Sequence, residues 1–428
     1  MKIVIWLILI GVMFLSPIQF TTTQEKQISD SVYLVIWNPV ENKIAFADYN
    51  GTISVWDLTT DQVLWTFNEQ RRPEHIPGVP QGYITGLQWN TDGILLAASS
   101  SRESSISTTI TIWNTHTGQL VQTLEEPPGG SLTLDWIPNT PHLLTGMDGA
   151  VVPAVRLWDT TTGSLVDTYD ISAANFSRSP TNNLLAVIPS YWVDLRDPTT
   201  LELFAQLRLE TDYEQGYMVS AVAWSSDSAQ VATGYLNGKV RIWEVGTSEI
   251  VREFQANEQV FENLGVPTST VKEVAFSLDG TSLWSVSADG TLRQWGLQDG
   301  RLIVDQSLNK AIFAAAWSPY QARLALGVAP DDQPDTMGTP IGDELHSSPG
   351  LQVLVPITSI EQIRLTALAC MDTQQQQELG IATLTSARLP GLVAKLHAFP
   401  ITLKSTACFA DVLALVDALN TSTRGTIH

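Results

Sequence analysis

The chain has 428 residues, with 23 Lys and Arg against 44 Asp and Glu, for a formal charge of -21. That balance excludes a nucleic-acid binder, which needs a basic stripe to displace counterions from phosphates. It also argues against adhesion to acidic membranes and leaves a solvated acidic surface as the plain reading.

Met1-Lys2 precedes an apolar run over 3–15, followed by Ser16-Pro17. A positive start before about 13 apolar residues fits a secretory signal. At about 1.5 Å per residue the run reaches roughly 20 Å, short of a hydrocarbon core of about 30 Å. No small-x-small triplet marks a cleavage site. Residues 1–20 are therefore expected to be a signal peptide or an N-terminal membrane anchor. Either makes the remainder an exported, extracellular, periplasmic or cell-surface domain.

From there to residue 356 the chain repeats. An aromatic followed by a short polar turn recurs at Trp37, Trp89, Trp136, Phe176, Trp224, Phe276 and Trp317, at spacings of 40 to 52 residues. That is the repeat scale of a propeller blade. The clearest unit, 271–304, shows four short strands separated by Asp279-Gly280, Asp289-Gly290 and Asp299-Gly300. Asp-Gly pairs supply the positive φ angles of tight hairpins, so each marks a reversal. Four antiparallel strands per unit, repeated around an axis, make a β-propeller. A second aromatic recurs within Ser54-Val55-Trp56-Asp57, Thr111-Ile112-Trp113-Asn114, Arg156-Leu157-Trp158-Asp159, Arg241-Ile242-Trp243-Glu244 and Arg293-Gln294-Trp295-Gly296. The fourth unit, 175–207, is degenerate, with Trp192-Val193-Asp194-Leu195 standing where a third strand is expected.

These units resemble the WD40 family, on the strength of Trp56-Asp57 and Trp158-Asp159 and the looser Trp113-Asn114 and Trp243-Glu244. The resemblance covers 32–356 and implies a seven-bladed propeller that presents loop faces to proteins or peptides. The family's Gly-His pair is missing from every unit, so its His-to-Trp hydrogen-bond network is expected to be absent. Ten of the 14 tryptophans fall at the two repeated positions and are assigned to packing between blades. Trp65, Trp192 and Trp284 lie off that register and stay as ligand candidates.

The last unit offers only three strands, 311–317, 323–328 and 351–356. Residues 21–29 are expected to supply the fourth, because an open edge invites aggregation. Residues 357–428 read as a helical appendix. Thr358-Ser359-Ile360-Glu361 is a capping box, and Cys408, Phe409, Val412, Leu415, Val416 and Leu419 share one helical face. Its Cys370 and Cys408 are the chain's two cysteines. In an exported protein they are expected to form one disulfide, contributing roughly 4 kcal/mol in the chain-entropy model. The expected class is thus all-β, a seven-bladed WD40-like β-propeller over 21–356, with a small α-helical C-terminal appendix.

Catalytic signatures are missing. The chain has no Gly-x-Ser-x-Gly elbow, no His-Glu-x-x-His pair and no phosphate-cradling loop ending in Lys-Ser or Lys-Thr. The acidic loop around Asp331 and Asp332 lacks EF-hand spacing and reads as an exposed loop. No catalytic residue, metal or cofactor is expected. In a four-stranded meander the links between second and third strands share a face with the links between blades. All the long connections, 68–81, 99–108, 255–269 and 329–348, fall in those two classes. Loops gathered on a rigid scaffold concentrate binding residues. Arg71, Arg72, His75, Arg102, Phe261 and Asp331 are the expected contacts with a protein or peptide partner. A glycan-binding propeller, or a lyase or hydrolase with carboxylates in the channel, are the alternatives.

Overall fold

The computed structural model describes residues 19–28, 31–48, 51–68, 83–101, 108–126, 131–148, 154–181, 183–215, 217–257, 269–319, 323–328 and 350–357. They form seven four-stranded antiparallel sheets. Blade 1 comprises Val32–Trp37, Lys43–Asp48, Thr52–Asp57 and Gln62–Asn68. Blade 2 comprises Tyr83–Trp89, Leu95–Ser101, Thr108–Asn114 and Gln119–Glu126, and blade 3 Ser131–Trp136, His142–Asp148, Ala154–Asp159 and Ser164–Tyr169. Blade 4 is built from shorter strands, Asn175–Arg178, Leu185–Ile188, Val193–Arg196 and Leu203–Leu207. Blade 5 comprises Val219–Trp224, Gln230–Tyr235, Lys239–Glu244 and Ile250–Gln255, and blade 6 Val271–Phe276, Ser282–Ser287, Thr291–Gly296 and Leu302–Ser307. The first strands of successive blades pack on one another around the axis.

Blade 7 takes Ile312–Trp317, Leu324–Val328 and Gly350–Ile357 from its own stretch and its outer strand, Gln19–Gln27, from the start of the chain. The closing strand runs antiparallel, with Gln19 opposite Ile357 and Gln27 opposite Gly350. The expected fourth strand is present, displaced by two residues. It also anchors to blade 1, where Gln24 donates to the Leu58 carbonyl at 2.8 Å and Lys26 to the Asp61 carbonyl at 3.0 Å.

Packing between blades explains the tryptophan repeat. Trp37, Trp136 and Trp224 each donate Nε1 to a backbone carbonyl of the preceding blade, at Ala316, Gln88 and Ser177. Third-strand tryptophans stack on the outer strand of the blade before, as Trp113 does on Phe67 at 4.3 Å and Trp295 on Phe254 at 4.9 Å. Offset stacking of this kind adds to the area buried.

One assignment in blade 4 needs correction. The first strands of the other blades end on Trp37, Trp89, Trp136, Trp224, Phe276 and Trp317, but in blade 4 the residue at that position, opposite Leu185, is Arg178. Phe176, two residues earlier, is an ordinary apolar member of the seam with blade 3. The third strand, Val193–Arg196, lies where the stretch from Trp192 to Leu195 was expected to supply it, and Leu185 faces Arg196, so the counterpart of Trp56-Asp57 is Arg196-Asp197. Asp197 makes the same turn contacts as Asp159: it accepts from the backbone N–H of Thr199 and Thr200, as Asp159 does from Thr161 and Thr162. Those backbone donors, Thr200 first, hold the Asp197 carboxyl below its usual range. The degenerate unit is therefore a complete blade.

The missing histidine leaves no gap in blade 3. Glu126, from the end of blade 2, takes the Trp158 Nε1 at 3.0 Å and the Arg156 guanidinium at 2.6 Å, and Thr145 donates to the same carboxylate. The tryptophan of blade 3 is thus held by a carboxylate rather than by a histidine. Buried polar groups require this kind of complete pairing.

Candidate interaction face

The strand directions place the tight turns, such as those at Gly93, Gly118, Gly163 and Gly280, on one face of the ring, where positive φ favours glycine. The opposite face receives the links between second and third strands and those between blades. Arg71, Arg72, His75, Arg102, Phe261 and Asp331, the expected contacts, lie outside the described residues. So do Cys370, Cys408 and the appendix.

What the structure does place on this face is a corner between blades 4 and 5. Two connections meet there. Residues 189–192 join the second and third strands of blade 4, and a short helix α1, Glu210–Gln215, interrupts the link from blade 4 to blade 5. Asp212 of α1 is 1% exposed and pairs with the Arg241 guanidinium of blade 5, itself 3% exposed. Arg241 also holds Glu253 at 2.7 Å and lies 4.9 Å from the centre of the Tyr235 ring. Although burial opposes a cation, hydrogen bonds from Asp212 and neighbouring groups drive the Arg241 pKa above its ordinary value. Burial alone would raise Glu253, but bonds from Arg241 and Lys239 hold its carboxyl below the usual value. A six-residue helix has little stability of its own, so this buried ion pair fixes it in place.

The clamp presents aromatic side chains. Tyr213 is 67% exposed and meets Tyr191 edge-on at 5.3 Å. Trp192 donates Nε1 to Asp194 at 3.0 Å, and Arg208 lies over its ring at 5.5 Å. Asp194 is fixed in turn by Arg196 and Gln206, both at 2.8 Å. Lys239 lies 5.5 Å over the Tyr217 ring. Tyrosine, tryptophan and arginine held by a rigid support are the side chains that dominate binding energy at protein interfaces.

The other off-register tryptophans have packing roles. Trp284 is 6% exposed and lies 5.5 Å from Trp317. Trp65 donates to the Thr115 carbonyl at 2.5 Å and lies against Gly118, where a Cβ would strike its ring. Trp192 alone of the three sits at the corner. Sequence reasoning missed Tyr191, Tyr213 and Tyr217 because they come from two separate connections. The available signal was the density of aromatics around the weakest repeat.

On the first strands, among the described residues, two carboxylates occur, Asp135 in blade 3 and Glu273 in blade 6. Burial raises both, Glu273 to about 8, while Arg178 opposes the shift at Asp135. They belong to non-adjacent blades and do not form the paired carboxylates of a glycosidase. Among the described residues no group of three or more acidic, His or Cys side chains is arranged to hold a metal.

Seven four-stranded blades, with a connection face and a tight-turn face, define a propeller of the repeat class. The WD domain, G-beta repeat family matches residues 208–244, from just before α1 through the third strand of blade 5. Over 108 residues the chain is 28% identical to Protein groucho of Drosophila melanogaster, covering 25% of this chain and 13% of that protein. The chain is a seven-bladed β-propeller, and one of its blades is similar to the WD40 repeat.

Proposed function

We propose that this protein is a non-catalytic interaction scaffold that binds a protein or peptide partner on the face carrying α1. The observation behind this reading is the corner of Tyr191, Trp192, Arg208 and Tyr213, held outward by buried ion pairs rather than by the rings' own burial. WD40 propellers are typically scaffolds, and nothing in the described residues assembles a catalytic pair. A partner bound here would also contact the neighbouring long connections, including those with Arg71, Arg72, His75, Arg102, Phe261 and Asp331.

The reading includes export, supported by the apolar run over 3–15. Gln19 pairs with Ile357 at the tight-turn end of blade 7, so a tether preceding it would leave the α1 face pointing away from a membrane. Fractionation of the native host tests export, and recovery with cytosolic markers overturns it.

Partner capture by the full chain tests the face. Proteins retained by the parent are expected to be lost with Tyr213→Ala and Trp192→Ala and kept with Leu278→Ser, whose side chain is 59% exposed on the tight-turn face. The reverse pattern overturns the assignment.

A further inference from the structure

We infer that the segment recognised at the α1 corner is basic, with a Lys or Arg side chain seated over the Tyr191–Tyr213 pair and facing Glu210. This rests on the proposed function above and specifies its partner.

The corner's own contacts show what its rings accept. Of the four aromatic side chains there, Trp192 carries Arg208 and Tyr217 carries Lys239, each cation 5.5 Å from the ring centre. Among the described residues no basic side chain lies over Tyr191 or Tyr213, whose rings meet edge-on. Tyr213 is the most exposed of the large apolar or aromatic side chains, at 67%. The negative face of a tyrosine ring attracts a cation within about 6 Å.

A carboxylate stands beside the vacant ring. Glu210 precedes Tyr213 by three positions on α1, so the two share one side of the helix. Its side chain is 90% exposed, and its one ion pair, with Arg208, is at 4.0 Å. Exposed pairs of that kind are weak and exchangeable. A partner's cation over Tyr213 would therefore gain the ring and the carboxylate together.

The local cations do not argue for an acidic partner. Lys239 is matched by Glu253 at 3.0 Å, and Arg241 is buried against Asp212. With a net charge of -21, the field steers positive segments inward and repels negative ones.

The test uses the full chain and three labelled dodecapeptides of one design, with four Lys or Arg, four Glu, or four Gln at the same positions. Fluorescence anisotropy at low and physiological salt reads affinity. The basic peptide is expected to bind, and to bind less tightly as salt rises. Tyr213→Ala should weaken it about three- to fivefold, and Glu210→Lys about tenfold or more. Asp279→Asn, at an exposed tight turn, should change it little. Equal binding of the Glu or Gln peptide overturns the inference, as does binding of the basic peptide that neither corner variant alters. Native partners lost with Tyr213→Ala but contacting the corner through an acidic or neutral segment would overturn the basic partner and leave the interaction face standing. Native partners indifferent to Tyr213 would remove both.

Discussion

Blades 4 and 5 flank the same helix and fill equivalent seam positions with opposite chemistry. In blade 5 the seam positions are Trp224 and Trp243, and the third strand carries Arg241, whose acid comes from α1. In blade 4 they are Arg178 and Arg196, and the third strand carries the acid itself, Asp194. Arg178 reaches back to Asp135 of blade 3, at the residue whose backbone carbonyl a tryptophan would otherwise use. The strand register and the Asp-Thr-Thr turn are unchanged. The difference teaches that hairpin backbone geometry defines a blade, while the seam tolerates either apolar rings or compensated charges. The charged solution is less completely buried: Arg178 and Arg196 side chains are each 16% exposed, whereas Trp243 is 1% exposed.

The sharpest way to break this comparison is to truncate the two counterparts. Trp243→Ala empties a sealed site and removes the bond to Thr233, so it should cost about 3–5 kcal/mol in urea unfolding. Arg196→Ala should cost about 1–2 kcal/mol, because water can reach Asp194 once the guanidinium is gone. Equal costs would mean that the seams are equivalent and exposure is irrelevant.

Removing the acid is next in size. Asp212→Ala strands a buried guanidinium with only the half-exposed Glu253, for an expected loss of about 3 kcal/mol and release of α1. Asp194→Ala should lose about 1–2 kcal/mol, since Arg196 retains the Leu201 carbonyl at 2.8 Å. Hydrogen exchange across 208–217 checks the first separately: protection there should fall with Asp212→Ala and persist with Asp194→Ala.

Acid titration gives a smaller effect with a definite sign. Glu253 has a folded pKa below its ordinary 4.5, so its contribution is present above that value and fades as pH falls through the folded value. The melting difference between the parent and Glu253→Gln should shrink across that window and also shrink with added salt, because its partners are cations. Asp197 in blade 4 is lowered by backbone N–H donors, so Asp197→Asn should show the same pH direction with less response to salt. Matching salt responses would remove the distinction. The smallest expected effect is that of Tyr213→Ala, which should leave stability within about 0.5 kcal/mol while altering binding. A larger loss would make the ring a structural member of α1.

The ring was legible because hairpin chemistry is local: Asn or Asp before Gly at 50–51, 237–238 and 289–290 demands a reversal whatever surrounds it. The ring's closure was legible because three strands left an edge open. Blade 4 was misread at Phe176 because a search for aromatics finds the nearest ring, and Arg178 and Arg196 occupy the register without one. The site was harder still. Tyr191 and Tyr213 are 22 positions apart on separate connections, and they meet with α1 held on blade 5 by the buried Asp212–Arg241 pair. Such a pair links distant residues by complementarity, which no local periodicity encodes.

Borrowing one strand from the chain's beginning also sets an order of events. Residues 19–27 cannot find 350–357 until everything between them has been made, so the ring must wait open through synthesis. Closing so long a loop costs only modestly more entropy than closing one half its length, by about 0.6 kcal/mol, so the delay is in time rather than in free energy. Mechanically the join is a zipper. Gln19 and Ile357 are paired at the same end, so tension drawn through both would break the contacts one after another rather than all at once. Blade 7 is therefore where the molecule would open first under load and where its assembly finishes last.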